Sequence, residues 1–165
     1  MHIFLTGKIQ VGKSTVIQHF LEKTGLSADG FKTLWNNRYG SSRGLYIYPF
    51  GEGTGHLCFR YRPSTGAEIF NEAFDVYGAD ILRNSGKRDI VIMDELGRFE
   101  KNAINFHNAV LETLDKDVPV LGVIKPESLP LLDAVRAHSK VKTIEVTLEN
   151  RDEVLSQLLE IFPEK

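Results

Sequence analysis

The stretch "GKIQVGKST", residues 7–15, constrains the fold of this chain more than any other feature. It contains Gly7, Gly12, Lys13 and Ser14 in the pattern Gly-x-x-x-x-Gly-Lys-Ser. In a phosphate-binding loop with this pattern, backbone N–H groups surround a phosphate, the lysine contacts phosphate oxygens, and the hydroxyl binds Mg²⁺. A pattern this short also arises by chance, so the flanking sequence must decide. We call residues 7–15 the glycine loop.

A phosphate-binding loop connects a buried strand to the start of a helix, and the flanking sequence predicts both. Residues 2–6, "HIFLT", form a short apolar run, and residues 13–25 place apolar side chains on one helical face before Gly25 ends the helix. We therefore expect the loop to bind the phosphates of a nucleotide. The candidate binding residues are Gly7, Lys8, Ile9, Gln10, Val11, Gly12, Lys13, Ser14 and Thr15.

The composition is that of a globular protein with a hydrophobic core. The chain has 165 residues, of which 42% are hydrophobic and 25% charged. This length and composition predict a single domain over residues 1–165. The net charge of −2 gives no strong signal for nucleic-acid binding. One cysteine excludes a disulfide within the chain, and no stretch reaches the ~20 apolar residues of a membrane span. We expect a cytoplasmic protein without membrane contact.

The rest of the chain predicts an α/β fold. Residues 30–63 contain short aromatic or β-branched pieces, typical of two or three antiparallel strands, with 34–63 an insertion or edge hairpin. A helical pattern is predicted from Ser64. Strands and helices then alternate to the end of the chain, which favours a mainly parallel sheet between helices.

A second acidic motif follows a predicted buried strand. Four apolar residues, 90–93, precede Asp94 and Glu95. The carboxyl ends of parallel strands meet at one edge of a sheet, so we expect Asp94 to join Ser14 as a ligand of Mg²⁺. Glu95 is the candidate to orient or deprotonate an attacking water. The alternative is that this pair only ends the strand.

The motifs together resemble a known family. The segments "FLTGKIQVGKST", "DGFKT", "IVIMDELGRFE" and "VTLENRDEV" are similar, in order, to those of the small thermophile-type nucleoside-triphosphatases, called cancer-related nucleoside-triphosphatases in animals. The resemblance implies a three-layer α/β/α P-loop domain, RecA- or kinase-like, that hydrolyses ATP, GTP and other nucleoside triphosphates with Mg²⁺. It also implies that Gly12, Lys13 and Ser14 bind phosphate and magnesium, and that Asp94, Glu95 and Gly97 form the Asp-Glu-x-Gly signature.

Several cationic residues are candidates to neutralise charge on the terminal phosphate. Arg98 is favoured because it lies in the signature loop, and Lys125, at the end of a predicted strand, is either a structural residue or a contact of the γ-phosphate. Asn150 follows the last predicted strand and either contacts the base or caps a helix. The other candidates are Arg38, Arg43, Arg60, Arg62 and Arg151.

The chain departs from the family at two places. Lys8, Ile9 and Gln10 replace the prolines and glycine of the family loop, and Ser14 replaces threonine; these changes leave phosphate binding intact. Residues 34–63 match poorly, which leaves the base preference open. Two other functions also stay open: a nucleotide or nucleoside kinase that transfers the γ-phosphate to an acceptor, and a nucleotide-gated binding module whose protein partners the sequence does not identify.

Overall fold

The computed structural model of this chain describes residues 1–39 and 42–162, with side chains described for residues 1–36 and 42–162. Strands and helices alternate over most of that length, as the sequence predicts. The strands are β1 (His2–Thr6), β2 (Ala28–Tyr39), β3 (Ser42–Pro49), β4 (His56–Arg62), β5 (Gly66–Ile69), β6 (Ile90–Leu96), β7 (Val120–Ile124) and β8 (Val141–Glu145). The α-helices are α1 (Lys13–Thr24), α2 (Ala79–Arg83), α3 (Ile104–Asp115), α4 (Pro130–Ala137) and α5 (Arg151–Ile161), and a π-helical segment, Ala73–Gly78, leads into α2.

All eight strands belong to one sheet, in the order β5-β4-β3-β2-β6-β7-β1-β8. In this order, β2, β6, β7, β1 and β8 pair parallel with one another. The remaining pairs, β2–β3, β3–β4 and β4–β5, are antiparallel, so β2 joins the two parts of the sheet. The α/β fold, with a mainly parallel sheet and an antiparallel part, is thereby confirmed. Because β7 lies between β1 and β6, the glycine loop and Asp94 emerge two strands apart at the same sheet edge.

Two boundaries differ from the sequence-based expectation. The predicted antiparallel strand at "GFKTLW" belongs to β2, which begins at Ala28 and pairs parallel with β6 on its other side. The helix predicted from Ser64 is wrong at its start, because Gly66–Ile69 form β5 against β4. Gly66 has a φ of +77°, which turns the chain back into a hairpin. Ile69, at the end of β5, has a side chain that is 48% exposed, so it is not part of the core.

The core has two apolar layers, one on each face of the sheet. One layer packs the π-helical segment, α3 and α4 against the sheet through residues such as Phe74, Phe106 and Leu132. The other packs α1 and α5 through Phe20 and Leu158. Residues 90–93 of β6 are fully buried and contribute alternately to the two layers, which explains their unbroken apolar run. Among the described residues, none of the helices combines the length and apolar character needed to cross a bilayer.

Candidate active site

The sequence-predicted site residues gather where parallel strands end. The glycine loop follows β1, Asp94 and Glu95 lie at the end of β6, and Lys125 directly follows β7 between them. The loop of residues 146–150 follows β8 on the other side of β1. Four neighbouring strand ends therefore bring these polar groups to one edge of the sheet.

The glycine loop needs backbone conformations that favour glycine. Gly7 has a φ of +134°, and a Cβ there would lie 2.4 Å from the carbonyl oxygen of Val146. Gly12 has a φ of +96° and a Cβ there would lie 3.0 Å from Cδ of Arg151. Gln10 also has a positive φ, of 61°. Of the residues between the glycines, Lys8, Ile9 and Gln10 are exposed, whereas Val11 is buried against the α1 layer.

The start of α1 presents unpaired backbone donors to the loop. The first bond into the helix runs from the N–H of Val16 to the carbonyl oxygen of Gly12, at 3.0 Å. The N–H groups of Lys13, Ser14 and Thr15 therefore precede the helical hydrogen-bond ladder and are available to an anion. The side chains of Ser14 and Thr15 are exposed beside them.

Lys13 is the cation at the centre of this loop. Its Nζ donates to the carbonyl oxygens of Gly7, at 3.1 Å, and Lys8, at 2.5 Å. The residue is 8% exposed, and burial, followed by repulsion from Lys125, lowers the pKa of its ammonium group. The hydrogen-bond acceptors of this ammonium group are neutral carbonyls, so an anion in the loop would offer it stronger, charged acceptors.

Ser14 and Asp94 meet across the sheet edge, although they are 80 residues apart in sequence. The Ser14 hydroxyl donates to Oδ1 of Asp94 at 3.0 Å. Burial raises the pKa of Asp94 to about 6, against the lowering effects of Ser14, Lys32 and Lys13. Lys32 is the register partner of Asp94 on β2, and Thr33 Oγ1 donates to the Asp94 carbonyl oxygen at 3.2 Å.

A hydroxyl and a carboxylate oxygen in this arrangement fit Mg²⁺, which prefers oxygen ligands and keeps several waters. Among the described residues, no group of three or more His, Cys, Asp or Glu side chains could hold a metal ion. Two protein oxygens leave most of the octahedral positions around Mg²⁺ to other oxygen ligands, and Mg²⁺ usually takes these from water and phosphate.

Glu95 occupies a bulge at the end of β6. The pairing register with β7 shifts between Asp94 and Leu96, and Glu95 has a φ of +96°, which is unusual for a residue other than glycine. The bulge turns the Glu95 side chain toward β7, where its Oε1 lies 2.8 Å from Nζ of Lys125. Such local strain is common at functional sites.

Glu100 fixes the loop that follows Glu95. Glu100 is 2% exposed, and its Oε1 accepts a hydrogen bond from the N–H of Gly97. Burial raises the pKa of this carboxyl group to about 7, and the nearby carboxylates of Glu95 and Glu127 act in the same direction. The carboxyl group therefore closes the turn between the signature residues and α3.

A cleft of 220 Å³ lies beside the glycine loop, between α1 and α5. Its polar lining includes Thr15, His19, Glu149 and Arg151. Asn150 does not line it: its Oδ1 accepts from the N–H of Thr147 at 2.7 Å, and its Nδ2 donates to the carbonyl oxygen of Glu145 at 2.9 Å. Asn150 precedes α5 without a side-chain capping bond, so its side chain closes the loop of residues 146–150 instead of capping the helix.

The candidate arginines lie in different surroundings. Arg98 is exposed, with its Cζ 5.3 Å from the ring centroid of Phe99, whereas Arg151 lies over Gly12. Arg43 lies over Trp35, and Arg60 pairs with Glu68 at 2.9 Å. Arg62 is exposed at the end of β4, and the side chain of Arg38 lies outside the described residues.

Three residues at the site received no role from the sequence. Lys32 and Thr33 belong to the "DGFKT" motif, and aligning the parallel strands β2 and β6 would have placed them beside Asp94. Glu100 gave no periodic signal, because its role depends on burial and on the turn at Gly97. Arg151 was one candidate among several, and its position over Gly12 depends on how α5 packs against α1.

Comparison with known proteins agrees with this architecture. A family model described as "NTPase" matches residues 2–159. The chain is 30% identical to the cancer-related nucleoside-triphosphatase homolog of Mus musculus, with 97% of this chain and 95% of the relative covered. It is also 30% identical to the nucleoside-triphosphatase THEP1 of Methanosarcina acetivorans, with 100% and 98% covered.

Solved structures give the same result. The crystal structure of THEP1 from Aquifex aeolicus superposes with a TM-score of 0.81 at 26% identity, with 99% of this chain and 100% of the other covered. The solution structure of a human cancer-related nucleoside triphosphatase gives a TM-score of 0.78 at 28% identity, with 98% and 97% covered. The resemblance noted in the sequence is confirmed: this chain belongs to the NTPase family that includes the THEP1 and cancer-related nucleoside-triphosphatases.

Proposed function

We propose that this chain is a Mg²⁺-dependent phosphohydrolase that converts ATP, GTP and other nucleoside triphosphates to diphosphate and phosphate. The observation that carries the proposal is the hydrogen bond between Ser14 and Asp94, with Glu95 next to it at the same sheet edge. A phosphate-binding loop, a pair of magnesium ligands and a carboxylate base are the parts that this reaction needs.

The glycine loop would hold the phosphates. The N–H groups at the start of α1 donate to phosphate oxygens, and Lys13 transfers its hydrogen bonds from the loop carbonyls to the β and γ oxygens. Binding of this kind is mainly positional and electrostatic, because the donors are already held by the β1–α1 connection.

Ser14 and Asp94 are the proposed ligands of Mg²⁺. These two residues would hold the ion, and the chemistry it would supply is neutralisation of the charge on the phosphate oxygens. The raised pKa of Asp94 reflects a buried carboxyl group without enough positive charge beside it, which a divalent cation would supply.

Glu95 is the proposed general base. A water molecule attacks the γ-phosphorus, the bond from that phosphorus to the β–γ bridging oxygen breaks, and Glu95 accepts the proton that the water loses. The products are a nucleoside diphosphate and inorganic phosphate. Little covalent chemistry is asked of the protein beyond this proton transfer, so most of the rate enhancement would come from charge and orientation.

The nucleoside part would occupy the cleft between α1 and α5. Thr15 and Arg151 connect this cleft to the glycine loop, which supports Arg151 as a contact of the nucleotide. Asn150 would then act by shaping the loop of residues 146–150, and one amide proton and one oxygen lone pair of its side chain would remain to hydrogen-bond a base. A cytoplasmic location stays a prediction of the sequence.

A phosphate-release screen tests the proposed function. The purified chain is incubated with Mg²⁺ and each of several nucleoside triphosphates, with and without candidate nucleoside and nucleotide acceptors. We expect inorganic phosphate from several triphosphates without any acceptor, and none when Mg²⁺ is chelated. Product that forms only with an acceptor would instead identify a kinase.

A further inference from the structure

Lys125 forms an ion pair with the proposed general base, and we propose that it exchanges this partner for the γ-phosphate of the substrate. Without a triphosphate, Nζ of Lys125 holds Oε1 of Glu95 at 2.8 Å. When a triphosphate binds, Lys125 binds a γ-phosphate oxygen and releases Glu95 to the attacking water. This inference rests on the proposed function, and it adds a residue that distinguishes triphosphate from diphosphate.

The position of Lys125 follows from the strand order. It is the first residue after β7, which lies between the strand that leads into the glycine loop and the strand that ends in Asp94 and Glu95. Neighbouring strands lie ~4.8 Å apart, so a side chain from the middle strand can contact groups that belong to either neighbour. Lys125 therefore lies at a strand end between the glycine loop on one side and the acidic pair on the other.

The backbone of Lys125 is held on both sides, so only its side chain is free to change partner. Its N–H donates to the carbonyl oxygen of Leu96 at 2.9 Å, and its carbonyl oxygen accepts a hydrogen bond from Arg136. Its Cγ lies against Gly97, where an added Cβ would be 3.2 Å away. The stem is therefore directed past Gly97 toward Glu95.

The ion pair is accessible enough to exchange. The side chain of Lys125 is 25% exposed and that of Glu95 is 37% exposed, so breaking the pair leaves neither charge isolated in a dry interior. An ion pair with this exposure contributes little to stability. A γ-phosphate carries more charge than a carboxylate and offers several strong acceptor oxygens, so it would compete successfully for the ammonium group.

The exchange predicts which nucleotides Lys125 senses. A diphosphate occupies the loop through the α- and β-phosphates and leaves Lys125 on Glu95. A triphosphate adds a γ-phosphate, whose oxygens offer Lys125 a more highly charged partner than Glu95. Lys125 should therefore contribute to triphosphate affinity and leave diphosphate affinity nearly unchanged.

Equilibrium binding separates this role from a structural one. Dissociation constants are measured by calorimetry for a non-hydrolysable triphosphate analogue and for the matching diphosphate, both with Mg²⁺, in the wild type and in Lys125→Met. We expect the triphosphate constant to rise about tenfold or more, since a charge-assisted hydrogen bond is lost, and the diphosphate constant to change less than about twofold. Lys125→Arg should keep most of the discrimination, and Lys142→Met, an exposed lysine on β8, should match the wild type.

A second variant tests the exchange from the other side. Glu95→Gln removes the competing carboxylate, so Lys125 is available before the nucleotide arrives; we expect tighter triphosphate binding, by about twofold or more, and unchanged diphosphate binding. Equal changes for both nucleotides in Lys125→Met, or no change, overturn the inference and leave the proposed function standing. If the wild type binds neither nucleotide, both the inference about Lys125 and the proposed function are overturned.

Discussion

At the residue scale, the central feature is a buried lysine whose present partners are the carbonyls of its own loop. Lys13 is bonded to Gly7 and Lys8, and its pKa is lowered by burial and by Lys125. The carbonyl oxygens of Gly7 and Lys8 hold the Lys13 ammonium group over the loop, where it would contact a bound phosphate. The site is therefore charged and pre-oriented before any ligand binds.

Lys13→Ala should abolish triphosphate binding. The variant loses the charged donor at the centre of the loop, while the fold keeps its α1 helix because alanine is a strong helix former. Calorimetric titration with a non-hydrolysable triphosphate and Mg²⁺ measures the effect. Lys23→Ala, which removes an exposed lysine from the last turn of the same helix, is the control and should bind as the wild type does. Unchanged affinity in Lys13→Ala would exclude the glycine loop as the phosphate site.

Glu100→Gln should change how stability depends on pH. The pKa of Glu100 is about 7 in the fold, above its ordinary 4.5, because of burial and the facing carboxylates of Glu95 and Glu127; its own N–H and that of Gly97 oppose this. The folded state thus holds a proton that the unfolded state loses, so wild-type stability falls as the pH rises through the window between these values. Glutamine can still accept the hydrogen bond from the N–H of Gly97, and because it does not titrate, the stability of Glu100→Gln lacks this pH dependence.

Denaturant unfolding of wild type and Glu100→Gln at pH 4.5 and pH 8 measures this effect. The unfolding free energy of the variant minus that of the wild type should increase by about 3 kcal/mol between the two pH values. Other titrating groups contribute to both proteins and largely cancel. A difference that stays constant with pH would show that Glu100 does not take up a proton in the folded state.

At the scale of the elements, close backbone approach sets the parallel sheet in its register. Gly30 of β2 has a φ of +103°, and a Cβ there would lie 2.0 Å from the carbonyl oxygen of Ile92 on β6. Two residues later, Lys32 pairs in register with Asp94. The Asp29 carboxylate accepts from the N–H groups of Gly86 and Lys87, which fixes the start of the same strand. The "DGFKT" motif therefore holds β2 beside the acidic pair.

Gly30→Ala should destabilise the fold, and Gly51→Ala provides a matched control. Both glycines have φ near +100°, a conformation that strains an alanine at either position, but a Cβ at Gly51 has no atom within 4 Å. We expect Gly30→Ala to lower the unfolding free energy by at least about 2 kcal/mol more than Gly51→Ala, measured by denaturant titration. Equal losses of unfolding free energy would mean that β2 and β6 accommodate the added Cβ without a steric penalty.

Sequence reasoning found the elements whose signals are local. The β1–loop–α1 unit and the buried run of β6 could be predicted because a glycine pattern and an apolar run are each read within a dozen residues. The hairpin at Gly66–Ile69 was missed because the spacing of Ile69, Phe70 and Ala73 also fits a helix, and only pairing with β4 decides. The partners of Lys125 and Asn150 likewise depend on which strands lie side by side, which periodicity does not determine.

At the scale of the whole molecule, one sheet edge collects groups from four strand ends, so a bound nucleotide would connect distant parts of the chain. It would contact the glycine loop, the ends of β6 and β7, and the cleft between α1 and α5. A ligand that binds only the folded state stabilises it by RT ln(1 + L/Kd), where L is the free ligand concentration. Binding at the edge should therefore raise the stability of the entire fold.

Thermal unfolding should report this coupling. At a concentration about 100 times the dissociation constant, Mg²⁺ with a non-hydrolysable triphosphate should stabilise the fold by ~2.7 kcal/mol and raise the Tm by about 5–10 °C. Lys13→Ala should show no such increase under the same conditions. An equal increase in both proteins would place the nucleotide away from the glycine loop.

The most direct test of the proposed hydrolysis is phosphate release by Glu95→Gln compared with the wild type, with binding measured on the same samples. The account predicts that Glu95→Gln still binds the Mg²⁺ triphosphate at least as tightly as the wild type, yet releases phosphate at least about 100-fold more slowly, because its amide cannot accept the proton of the attacking water. Hydrolysis by Glu95→Gln at the wild-type rate would contradict it.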